Sequence, residues 1–92
     1  MTRPPKDKII SFKPKITYFK PRGVYLSELE EIELSLPEME TLRLIHAEGM
    51  QQTQAAQLMG VHQSTLQRIL AKAEEKTAKA LLFGHAIKIG NA

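Results

Sequence analysis

The stretch QTQAAQLMGVHQSTLQRIL, residues 52–70, decides how this chain is read. It is too irregular for one helix and too regular for a loop. Ala55, Ala56 and Met59 lie on one side of a short helix that starts near Gln52, Gly60 interrupts it, and Val61 restarts the apolar pattern in a new phase. From Gln63 to about Phe83, residues Leu66, Ile69, Leu70, Ala73, Thr77, Ala80 and Leu81 recur at the helical period, which predicts one long helix. Two helices joined by a short glycine-containing turn make a helix-turn-helix. Ala56 is small where the helices cross closest, and Gly60 supplies the left-handed turn angle. Val61 plugs the corner, while Leu66 and Ile69 pin the long helix. A tight helical corner with no nucleic-acid role meets several of the same demands and stays open.

Upstream, the sequence SLPE places Ser35 and Glu38 at capping-box spacing, with Pro37 in the first turn. The helix predicted there, about residues 36–48, buries Met39, Leu42 and Ile45, and Gly49 ends it. Downstream, Gly84 closes the long helix and HAIKIG alternates as a short last strand. The first 23 residues hold four of the five prolines and two β-type runs, KIISF and KITYF. Pro14 and Pro21 restrict these runs to edge strands or an extended arm. Glu28, Glu30, Glu31 and Glu33 read as a solvated polar surface. The predicted fold is mostly α: an extended basic arm with short strands over 1–34, a three-helix domain containing the helix-turn-helix over 35–84, and a short strand and tail over 85–92.

Composition limits the function classes. A chain of 92 residues makes one domain, and the absence of cysteine excludes disulfides, thiolate metal sites and a cysteine nucleophile. Neither a signal-peptide core nor a membrane-length apolar run occurs, so the expectation is a soluble cytoplasmic protein with no membrane role. His46, His62 and His85 are not at metal-ligand spacing, and there is no HExxH and no glycine-rich phosphate loop. No enzyme activity, metal or cofactor is expected. Charge is segregated: residues 1–23 carry seven Lys/Arg against Asp7, and residues 24–51 carry seven glutamates against Arg43. Such segregation suits a polyanion partner. Pairing of the basic arm with the chain's own acidic middle, or a neighbour's, fits equally well.

With Leu66, Ile69, Leu70 and Ala73 facing the core, the opposite face at the start of the long helix presents Gln63, Ser64, Gln67 and Arg68, with His62 just before it. Glutamine pairs bidentately with adenine and arginine with guanine, and the N-terminal end of such a helix is the end that enters the major groove. Gln63, Gln67 and Arg68 are therefore expected to face base edges. Lys72, Lys76 and Lys79 follow along the outer helix, at positions suited to phosphate or to solvent. The candidate DNA contacts are Gln52, Thr53, His62, Gln63, Ser64, Thr65, Gln67, Arg68 and Lys72, joined by Arg3, Lys6 and Lys8 of the arm for the DNA backbone or minor groove. The apolar runs Ile9–Phe12, Ile16–Phe19 and Ala86–Ile89 exceed what a three-helix core needs. They predict that strands near the two chain ends pair, either within the chain or between subunits to make a homodimer.

The segments TYFKPRGV, LEEIELSLPEMETLRLIHAEGM, QAAQLMGV and LQRILAKAEEKTAKAL resemble a family of small, uncharacterised bacterial and archaeal proteins taken to bind DNA. The likeness covers about residues 10–90, and the helical half also resembles region four of sigma factors. The resemblance implies sequence-specific binding of double-stranded DNA and a role in transcriptional regulation, with the third helix as reader. This sequence departs from the family pattern at Gln51 and His62, where relatives usually place Ser or Thr, which cap helices better. It also places Glu74, Glu75 and His85 where basic residues are common. Two other readings remain: a protein-interaction module on the same scaffold, suited by the acidic stretch 28–40, and RNA binding.

Overall fold

A computed structural model of the chain describes residues 8–90. In chain order the elements are β1 (Tyr18–Phe19), a 3-10 turn (Leu26–Glu28), β2 (Glu31–Leu34), α1 (Leu36–Leu42), a π-helical turn (Arg43–Ala47), α2 (Gln52–Met59), α3 (Gln63–Phe83) and β3 (Ala86–Ile89). About 53% of this is helical. The mostly α expectation therefore holds by content, with a three-stranded sheet added.

Helix α1 starts where SLPE predicts. Ser35 Oγ accepts from the Glu38 amide at 3.2 Å, and Glu38 Oε1 accepts from the Ser35 amide at 2.8 Å, with Pro37 in the first turn. The helix does not continue evenly to residue 48. In the π-turn the Glu48 amide donates to the Arg43 carbonyl at 2.8 Å, and the Met50 amide reaches the Leu44 carbonyl at 2.9 Å. The wider turn inserts one residue, shifting the apolar face by about 100°. Leu44, which the regular pattern omits, is 1% exposed and continues the face of buried Glu40 and Thr41, three and four residues before it. Leu42 and Ile45 are only half-buried.

Three residues, Gly60 to His62, join α2 to α3. Gly60 has φ +68° and its amide donates to Gln57, while the Val61 amide donates to Ala56, so two of the last α2 carbonyls are satisfied. Val61 packs on a cluster of Leu44, Ala55, Ala56, Met59 and Leu66. Helix α3 spans the predicted residues, with Leu66, Leu70, Ala73 and Ala80 buried and Ile69 and Thr77 half-buried. Leu81 departs from the expected stripe and is 77% exposed. It follows Ala80 by one residue, about 100° around the helix, and so falls off the buried face.

The sheet has the order β1-β3-β2. β3 runs antiparallel to β1, pairing Tyr18 with Lys88, and parallel to β2, pairing Ile32 with Ile87 and Leu34 with Ile89. Strands near the two chain ends do pair, as expected, and here they do so within one chain. β2 lies in the stretch read as polar surface: Glu31 and Glu33 are exposed, yet Ile32 and Leu34 between them turn inward. Within KITYF only Tyr18 and Phe19 form a strand.

KIISF is not a strand, and from Ile9 onward it is not a free arm. It is a strap laid over the helices. The Ile9 amide donates to the Met59 carbonyl at 3.0 Å, and the Ser11 amide donates to Glu40 Oε2 at 2.9 Å. Ile10 packs on a second cluster formed by Leu34, Met39, Ala73 and Ile89, and the Arg43 guanidinium carbon sits 5.5 Å from the Phe12 ring centre. Glu40, 1% exposed, is satisfied by Ser11 and by both arms of the Arg43 fork at 2.9 and 3.0 Å. On the other side of α1, Lys76 Nζ bonds Glu38 at 2.8 Å and the Glu33 carbonyl at 2.7 Å, stapling α3 to the β2–α1 junction.

Candidate nucleic-acid interface

Burial of Leu66, Leu70 and Ala73 fixes the rotation of α3, and the helical period then turns Gln63, Ser64, Gln67 and Arg68 to solvent. His62 is exposed at the N-cap with no side-chain capping bond, and Thr65 is half-buried. At the start of α2, Gln52 is half-buried and Thr53 exposed. The Gln51 amide donates to Gln54 Oε1 at 3.3 Å, a partial cap that replaces the serine or threonine expected there. Among the described residues, no side-chain hydrogen bond or ion pair holds Gln63, Ser64, Gln67 or Arg68.

The distal half of α3 is different. Lys72 Nζ lies 3.2 Å from Glu75, Lys79 Nζ lies 3.7 Å from the same carboxylate, and Glu74 is 2.6 Å from His46 Nε2. The hydrogen bond and charge of Lys72, helped by Lys79, hold the Glu75 carboxyl below the usual range. Lys76 is occupied by Glu38 and Glu33. Half the helix presents uncommitted polar groups, and half is neutralised by its own neighbours.

Arg3 and Lys6 lie outside the described residues. Lys8 is described, and the structure brings it beside α3. Together with Arg68, Ile69 and Lys72 it lines a shallow depression of about 310 Å³, closed on the far side by Ser35, Pro37 and Glu38. Burial pushes the Glu38 carboxyl up, but the Lys76 ammonium and the Ser35 amide outweigh it and hold the group below its usual value. Among the described residues, Lys8, Lys13, Lys15, Lys20 and Arg22 make no ion pair with the acidic middle of the chain. Three of the carboxylates there are engaged otherwise, Glu40 by Arg43, Glu38 by Lys76 and Glu31 by the Tyr18 hydroxyl at 2.6 Å. Sequence reasoning did not find the Lys8–Arg68–Lys72 grouping, because 60 positions separate Lys8 from Arg68 and no local pattern links them. The Glu40–Arg43 pair did carry a signal, since residues three apart are helix neighbours.

No group of three or more His, Asp or Glu capable of holding a metal gathers among the described residues. No helix among them is long and apolar enough to cross a membrane.

These features describe a small, mainly helical domain whose exposed polar helix face is flanked by lysines. Residues 1–91 match the family model described as protein of unknown function DUF134, and the chain belongs to that family. It is 47% identical over 89 residues to a UPF0251 protein of Desulforudis audaxviator, covering 97% of this chain and 58% of that protein. It is 42% identical over 88 residues to a UPF0251 protein of Halothermothrix orenii, covering 96% and 65%, and 44% identical to one of Caldanaerobacter subterraneus, covering 97% and 75%. The chain thus spans less than two thirds of the length of the first two relatives. No solved structure matches it.

Proposed function

We propose that this chain binds double-stranded DNA sequence-specifically and serves in transcriptional regulation, with α2 and α3 acting as a helix-turn-helix. The observation that carries this reading is the row of exposed, uncommitted polar side chains at the N-terminal half of α3. That half follows a tight turn at Gly60 and is held in place by fully buried Leu66. Glutamine side chains there suit adenine edges, and the flanking lysines and arginine suit phosphate. We take the helical half to resemble sigma-factor region four, a reading that fits the same assignment. We assign the chain no catalytic step and no cofactor, and we place it in the cytoplasm, where its DNA would be.

One such unit reads only a half-site, so we further propose a homodimer. Leu81, Leu82 and Phe83 are 77%, 76% and 67% exposed at the end of α3 away from the reading face, a concentration of apolar surface that a second copy would cover. Selection of bound fragments from random duplex DNA, followed by gel shift, tests the reading. A recurrent motif with an inverted repeat is expected. Failure of the intact protein to bind any duplex at low salt, with retention of a protein partner in pulldown, would assign the scaffold to protein interaction instead.

A further inference from the structure

The exposed face of α3 divides into two rows. Gln63 and Gln67 are four residues apart and share one row. Ser64, Arg68 and Lys72 share the next, about 100° around the axis, and this second row turns toward the start of α1 and the strap. Arg68 and Lys72 line the same depression as Lys8, Ser35 and Pro37, whereas Gln63 and Gln67 do not. We propose that Lys8, Arg68 and Lys72 form a seat for one backbone phosphate of the duplex, so that Arg68 positions the protein on DNA while Gln63 and Gln67 read the bases. This rests on the DNA-binding reading above, and it reassigns Arg68 from the base edge expected of it to the wall of the groove.

Three observations support the seat. First, the one carboxylate lining the depression, Glu38, is already held by Lys76 at 2.8 Å and the Ser35 amide at 2.8 Å, so it does not offset the three cations. Second, the Lys8 backbone is fixed in advance. Its neighbour Ile9 is hydrogen-bonded to Met59 at 3.0 Å and Ile10 is packed against the core, so binding would order the Lys8 side chain rather than its backbone. Third, Lys72 is free to turn inward. Its contact with Glu75 joins two solvent-exposed side chains, and an exposed pair of this kind adds little stability. Phosphates wall both sides of the major groove, so a cationic row beside a reading row matches the surface it would meet.

The test is a set of fluorescence-anisotropy titrations of the full chain at several salt concentrations. The probes are a duplex obtained by site selection, a random duplex of equal length and an RNA duplex of the selected sequence. Arg68→Gln, Lys8→Gln and Lys72→Gln should each weaken selected and random DNA by similar factors. Each should also reduce the slope of log affinity against log salt, and the three changes together by about 1, because a single phosphate is neutralised. Arg68→Lys should keep the slope. Gln67→Ala should weaken the selected duplex alone, by about 5- to 150-fold. Lys79→Gln, paired with Glu75 away from the depression, should leave the slope unchanged. If Arg68→Gln weakens only the selected duplex at an unchanged slope, Arg68 reads a base and the seat is wrong while DNA binding stands. A slope loss for Lys79→Gln equal to that for Arg68→Gln would reduce the seat to diffuse charge and overturn it. Absence of binding to both DNA duplexes at low salt, or tighter binding to the RNA duplex, would overturn the seat together with the DNA reading. Circular dichroism melting checks that each variant is folded; if Arg68→Gln is not, Lys8→Gln and Arg68→Lys decide the outcome.

Discussion

Gly60 meets its demand through the backbone rather than through space. A Cβ built there would lie 3.5 Å from Ile9 Cδ1, an ordinary contact, but φ is +68°. Gly60→Val should therefore destabilise by about 1–3 kcal/mol or more, and Gly60→Asn by clearly less, since asparagine tolerates this region. Urea unfolding of both variants checks the difference. Leu66→Ala should cost about 2–5 kcal/mol, because Leu66 is fully buried between the α2 alanines and Leu44. Both residues were legible in the sequence, one as a turn signal and the other as a point on a helical stripe. Glu40 was not. A carboxylate is read as exposed by default, and one of the partners that make its burial tolerable is the amide of Ser11, 29 positions away.

Among the elements, the strap is where the expected arm and the observed structure diverge most. Its apolar residues Ile9, Ile10 and Phe12 were visible as a run, but a run cannot say whether it pairs as a strand or lies across helices. Here the hydrogen bonds go to Met59 and Glu40, not to a ladder. Glu40 links the strap to α1, and its hydrogen bond to Arg43, with the Ser11 amide, holds the carboxyl below the usual range. A depressed carboxylate stabilises the fold above the unfolded glutamate value of about 4.3, and that stability is lost as pH falls through the lower folded value. Melting temperature should thus drop below about pH 4.3, and Glu40→Gln should flatten that drop at the cost of lower stability at neutral pH. The Ser11 amide should exchange faster in the same variant. The inward face of this helix was misread because two of its buried positions, Glu40 and Thr41, are polar, so the apolar pattern did not point to Leu44 beside them. β2 carried a readable alternation in Glu31-Ile32-Glu33-Leu34, masked by its acidic composition.

For the molecule as a whole, charge is arranged so that the acidic middle is partly consumed by Arg43 and Lys76, while the described lysines of the N-terminal stretch keep their charge. The exposed polar face and the apolar turn Leu81–Phe83 lie toward opposite ends of α3, which under the proposed function would separate recognition from self-association. Leu82→Glu should give a monomer by sedimentation at tens of micromolar and lower affinity for an inverted repeat more than for a single half-site. A wild type that sediments as a monomer at that concentration would remove the dimer. Neither the Lys8–Arg68 approach nor the sheet order was legible, since both are set by how distant segments close on each other. That closure has a temporal side. The central strand β3 leaves the ribosome after the other elements described here, and 70 positions separate Tyr18 from its partner Lys88. At about 5–20 residues per second, β2 waits roughly 3–10 s for Ala86 to be made. The nascent chain then holds its helices before its sheet, with two strands open to the wrong partner. Slow final folding, late protection of Ile87 and Ile89 amides and dependence on chaperones at low temperature are the expected signs, each measurable by pulse-labelled exchange on arrested chains.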